Sequence, residues 1–131
     1  MTPDLRSFFD QLLEQELAKL PLSLHRLLDE TPLLVEDRPS PQILADMGLS
    51  NGDELCGLYH GIPRTAQSVD IPAQLPPYVF LYREGICRLS GCHRAGQNRD
   101  ELREQIRITL LHEIGHHFGL SEQDLEELGY G

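Results

Sequence analysis

Residues 98–120 read NRDELREQIRITLLHEIGHHFGL. Leu102, Ile106, Leu110, Ile114 and Phe118 recur at every fourth position, the spacing of one face of an α-helix. Asn98 followed by Glu101 supplies a helix start with a capping box. Gly119 supplies the left-handed residue that ends a helix and turns the chain back. The stretch predicts one long helix that packs a single face on the core.

A neighbouring face of that helix carries His112-Glu113-Ile114-Gly115-His116, a complete H-E-x-x-H. Residues four apart on a helix lie about 6 Å apart along the axis and share a face, so both imidazoles reach one metal ion. Glu113 points beside that face. It can hold and deprotonate a metal-bound water without being a ligand. A catalytic zinc takes three protein ligands and keeps one position open. Past the turn the chain reads Leu120-Ser121-Glu122-Gln123-Asp124, with two carboxylates able to swing onto the metal. Ser121 and Asp124 fit a further capping box, which commits Asp124 to backbone amides. Glu122 is therefore the expected third ligand, and Asp124 the runner-up.

Working outward, Thr2 and Pro3 read as an N-cap and a first-turn proline. Leu5, Phe8, Phe9, Leu12, Leu13, Leu17 and Leu20 follow as one apolar helical stripe, and Pro21 starts a second short helix to about Leu28. Leu33-Leu34-Val35, flanked by prolines, reads as a short strand, and Ser40-Pro41 opens a helix ending near Met47-Gly48. Residues 55–59 are a second strand. Residues 60–77, rich in Pro, Gly and polar side chains, form a long connection of the sort that covers a substrate. Residues 78–83 (YVFLYR), bounded by Pro77 and Gly85, are the best strand in the chain, with Tyr78, Phe80 and Tyr82 on one face and Val79, Leu81 and Arg83 on the other. A last helix spans 122–128. Helices and strands mixed without regular alternation give an α+β fold, here one domain over 1–131.

Composition narrows the partners. A 40% hydrophobic and 24% charged chain of 131 residues is long enough to bury a core and is globular. The net charge of −10 excludes a phosphate backbone or an anionic membrane surface as the natural ligand, so neither nucleic acid nor membrane is expected. No apolar run is long enough to span a bilayer, and the first residues lack a basic and then apolar leader, so a cytoplasmic location is expected. The three cysteines, Cys56, Cys87 and Cys92, read as free thiols. Cys87, Cys92 and His93 lack a second ligand pair of the sort a structural zinc site needs. His117 points away from His116 and is read as a packing or supporting residue. His25, His60 and His93 carry no assigned role.

The segment from His112 to Glu122 resembles the metzincin-type signature H-E-x-x-H-x-x-G-x-x-(H or D), with Glu122 in the last slot. Taken with Leu33-Leu34-Val35-Glu36-Asp37-Arg38-Pro39-Ser40, Leu55-Cys56-Gly57-Leu58-Tyr59-His60-Gly61-Ile62-Pro63, Leu81-Tyr82-Arg83 and Leu128-Gly129-Tyr130, nearly the whole chain resembles the small bacterial zincin-like metallopeptidases. The resemblance implies a minimal zincin fold, with a short mixed sheet packed on the active-site helix. It also implies a Zn2+ cofactor held by His112, His116 and Glu122, with Glu113 as the catalytic base and a peptide or protein as substrate. Two positions depart from larger metzincins: no methionine follows the motif, and the third ligand is a glutamate in place of their histidine. The residues 78–83 are expected to bind an extended substrate edge to edge, and Tyr130 is a candidate hydrogen-bond donor to an oxyanion. The rival from another class is a zinc-binding interaction module with a structural site. Glu113 argues against it, since a structural site has no use for a general base. Hydrolysis of a non-peptide amide is a third reading.

Overall fold

In the computed structural model, which describes residues 1–49, 55–60 and 78–127, the side chains of Tyr59, His60, His116, His117, Phe118, Glu122 and Leu125 lie outside the description. Helix α1 (Pro3–Ala18) starts as its sequence dictates: Thr2 Oγ1 accepts the Leu5 N–H at 3.1 Å, and Pro3 takes the first turn. Its buried face is Leu5, Phe9, Leu12 and Leu13. Helix α2 (Leu22–Glu30) follows Pro21 and buries Leu24. Strand β1 (Leu33–Glu36) leads to helix α3 (Pro41–Asp46), where Ser40 Oγ accepts the Ile43 N–H at 3.2 Å. Strands β2 (Gly57–His60) and β3 (Tyr78–Tyr82) complete a three-stranded sheet in the order β1-β3-β2. The sheet is mixed. Leu33 pairs with Val79 in the parallel β1–β3 ladder, and Gly57 pairs with Leu81 in the antiparallel β2–β3 ladder.

Strand β3 is therefore central, and its residues from Val79 to Tyr82 are all buried. This corrects the expectation that 78–83 offer an edge to a substrate, because both edges of β3 are taken by β1 and β2. It also stops at Tyr82. Arg83 begins a helix absent from the sequence reading, α4 (Arg83–Ser90). Gly85, read above as a strand boundary, sits inside that helix for a different reason. A Cβ there would stand 2.2 Å from the Leu55 carbonyl oxygen, so only glycine lets the segment entering β2 pass.

Helix α5 (Arg99–Phe118) is the long helix anticipated, with Leu102, Ile106, Leu110 and Ile114 buried against Phe9, Leu12, Leu24, Leu81 and Ile86. Its start differs from expectation. Asn98 is itself left-handed (φ 46°) and makes no side-chain cap; its Nδ2 donates instead to the carbonyls of Ser90 (3.2 Å) and Gly91 (3.1 Å). Gly119 ends the helix in the left-handed region (φ 65°), and Leu120 N–H returns to the Gly115 carbonyl at 2.9 Å. Helix α6 (Glu122–Glu127) follows. The predicted connection at 60–77 falls outside the described residues save for the backbone of His60, and so does Tyr130. No helix among the described residues is long and apolar enough to cross a membrane.

Charge holds α1 to the sheet. Arg83, only 12% exposed, donates to Asp10 (2.9 and 3.0 Å) and to Asp37 (2.9 Å), while Arg6 grips Asp37 with two bonds of 3.1 and 2.6 Å. The Arg6 guanidinium first, and Arg83 behind it, hold the Asp37 carboxyl below its ordinary range despite partial burial. A carboxyl depressed on folding stabilises the fold above its unfolded pKa of about 4, and that contribution is lost as pH falls through the folded value. Asp37→Asn is expected to cost on the order of 1–3 kcal/mol at neutral pH. The gap between the two proteins should narrow in thermal melts as the pH is lowered from about 4 through the folded value of Asp37.

Candidate functional site

The H-E-x-x-H segment lies in the last two turns of α5, which stays helical through Phe118, so positions 112 and 116 share a face. His112 is exposed, Glu113 is buried at 8% exposure, and Ile114 and Gly115 are buried on the core side. The helix thus presents the first histidine outward while its neighbour carboxylate turns toward the sheet. The side chains of His116 and Glu122 lie outside the description. Among the described residues no three His, Cys, Asp or Glu side chains form a metal-binding group, and of the expected ligands only His112 falls within that search.

What Glu113 packs against was not legible in the motif. A Cβ on Gly57 would stand 2.9 Å from both Glu113 Cγ and Thr109 Cγ2, and 3.1 Å from the Phe80 carbonyl oxygen. Gly57 opens β2, so α5 lies on that strand with no side chain between them. Thr109, one turn before Glu113, is buried and held in its rotamer from two sides: Gln105 Nε2 donates to its hydroxyl at 3.3 Å, and the Cys56 thiol is hydrogen-bonded to it. Burial pushes the Cys56 thiol up and the nearby charge of Glu113 adds to the rise, against the Thr109 hydrogen bond. A glycine within a strand is the one sequence signal of such a close backbone approach.

Tyr82 at the end of β3 belongs to the same electrostatic neighbourhood. It is 1% exposed, stacks on Phe80 at 5.6 Å, and its hydroxyl has no hydrogen-bond partner among the described residues. Burial, with the charges of Glu36, Tyr78 and Glu113 behind it, pushes that hydroxyl up to about 12, so Tyr82 is a neutral phenol at physiological pH.

Beyond the turn, the Asp124 carboxylate has a structural partner. Asp124 Oδ2 accepts the Ser121 N–H at 2.8 Å, and Ser121 Oγ accepts the Asp124 N–H at 3.1 Å. This is the reciprocal capping box anticipated from the sequence, and it occupies the Asp124 carboxylate at the start of α6.

A long helix with H-E-x-x-H near its end, lying on a small mixed sheet and followed by a tight turn, is the arrangement of a zincin. The chain matches the zincin-like metallopeptidase family over residues 28–131 and belongs to that family. No curated protein matches it.

The Gly57 contact predicts a coupling that needs no assay of activity. Gly57→Ala should lower stability by about 1–3 kcal/mol through overpacking. Thr109→Ser, which deletes the methyl that the new Cβ meets, should recover part of that loss in the double variant. Additive losses in a denaturant-unfolding cycle would contradict it.

Proposed function

We propose that the chain is a zinc-dependent peptidase in which His112, His116 and Glu122 hold the metal and Glu113 is the general base. The observation that carries this reading is the placement of Glu113: one residue past the exposed His112, on an unbroken helical turn, with its methylenes seated against Gly57. That seat restricts the carboxylate, and restriction is what a base that must meet a single proton requires. The donor set fits zinc. Two imidazoles spaced i, i+4 and one carboxylate leave a position open, and the Ser121–Asp124 cap, which engages Asp124 with the backbone, supports Glu122 over Asp124 as that carboxylate.

Zinc held by these residues would lower the pKa of a bound water and polarise the scissile carbonyl. The chain's own part is the proton traffic: Glu113 takes the proton of the attacking water and returns it to the departing amine. With β3 central, the extended substrate falls to β2. Its outer edge pairs with no other strand among the described residues, and its first residue touches Glu113. A peptide added there would run beside the base, with main-chain hydrogen bonds supplying affinity.

Zinc measured by plasma mass spectrometry on untagged protein, purified without chelator, should be near stoichiometric and should be lost in His116→Ala. Glu113→Gln should keep the zinc yet lower turnover of a peptide found by library profiling about 100-fold or more. Retained zinc with no turnover in the parent protein would favour the interaction-module reading. Absent zinc even after soaking would remove the metal from both.

A further inference from the structure

Away from the H-E-x-x-H turns, α1 and α5 leave a groove of about 440 Å³ between them, within the roughly 300–1,000 Å³ of small-molecule pockets. Two contacts give its direction. Arg99 lies over the Phe8 ring at 5.9 Å. One turn further along α5, Arg103 donates to the Gln15 side chain and stands 3.5 Å from the Glu16 carboxylate. The two helices therefore run the same way, which sets Lys19 toward Arg107.

Charge separates along that direction. At one end stand Lys19 and Arg107, over Leu20 and Leu110, both buried. At the other stand Asp100 and Glu104, both exposed. Arg103 lies between them and is engaged by α1. Glu16, buried at 5% exposure, is shared by Arg103 and, at 3.4 Å, by Lys19. Arg107 is different. Glu104 precedes it by one turn, the spacing at which such pairs form on a helix. Arg107 nevertheless makes no ion pair or hydrogen bond among the described residues, and it is half-buried.

An unpaired guanidinium in the wall of a groove suits a carboxylate, which it can hold by two parallel bonds. The exposed carboxylates at the other end suit an ammonium. Along α5 the rise to Arg107 is about 5 Å from Glu104 and about 10 Å from Asp100. Two extended residues span about 7 Å. We propose that this groove binds a zwitterionic dipeptide with an apolar C-terminal residue. The ligand carboxylate meets Arg107 and Lys19, its last side chain lies on Leu20 and Leu110, and its ammonium faces Glu104 and Asp100. A free amino acid, with about half that span, reaches only one end. An inorganic anion uses neither the apolar floor nor the acidic end.

The test is calorimetric titration of alanyl-leucine into the full-length protein and into His116→Ala, in which the expected zinc site is disabled. Both should bind it alike. Arg107→Ala should weaken binding about 10-fold or more, with an unchanged thermal midpoint because Arg107 has no partner to lose among the described residues. Alanyl-leucinamide, which lacks the carboxylate, should show a similar loss on the parent protein. N-acetyl-alanyl-leucine should lose about 2- to 5-fold, since its ammonium faces exposed carboxylates. Three results would overturn the proposal: no binding up to the solubility limit, undiminished affinity for the leucinamide, or affinity kept in Arg107→Ala. Affinity kept there and lost in His116→Ala would put the dipeptide on the zinc site instead. The leucinamide comparison is made on the parent protein, so the outcome does not depend on the folding of any variant.

Discussion

Glycine at position 57 sets how closely the long helix approaches the sheet. Any larger residue would meet the Glu113 methylene, the Thr109 methyl and the Phe80 carbonyl together. Removing that side chain brings α5 down onto β2, buries the carboxylate beside the strand and leaves His112 facing outward. The rest of the site follows from this contact. Thr109, one turn before Glu113, is buried against the same glycine, so the helix meets the strand at two successive turns. Pre-organisation of this kind comes from packing and rotamer restriction, with no need for strain.

A second constraint works where β3 gives way to α4. Arg83, at the junction of β3 and α4, reaches Asp10 on α1 and Asp37 after β1, and lies over the Phe9 ring at 6.0 Å. The family match begins at residue 28, so α1 stands ahead of it. Its Leu5, Phe9, Leu12 and Leu13 nevertheless belong to the same core as Ile106 and Leu110 of α5. The charged cluster fixes the direction in which α1 lies. The apolar stripe supplies most of the free energy, at roughly 1.5–3 kcal/mol for each fully buried large side chain.

Much of this was legible in the residues themselves. The four-residue repeat from Leu102 to Ile114, the Thr2 and Ser40 caps, and the Ser121–Asp124 box each depend on local chemistry, and each formed as local chemistry dictates. What failed depended on distant partners. Gly85 reads as a break until the Leu55 carbonyl is seen to need its space. Asn98 reads as an N-cap until its amide is found spanning to Ser90 and Gly91. The central place of β3 was hinted at by an unbroken apolar run, since a strand buried on both faces has no polar alternation. Periodicity alone names no neighbours, and so an open edge was expected of a strand paired on both sides. Gly57 was visible as a glycine within a strand, but nothing local says which helix it admits.

The parallel pairing of β1 with β3 carries a consequence for how the molecule is made. Leu33 cannot find Val79 until α3, β2 and the segment beyond have been synthesised, because the crossover between parallel strands encloses them all. On the ribosome, α1 and α2 can form from local contacts, while β1 waits as an unpaired strand with its apolar face exposed. Sheet closure is thus a late, long-range event, which slows folding and lengthens the interval in which that strand can pair with another chain.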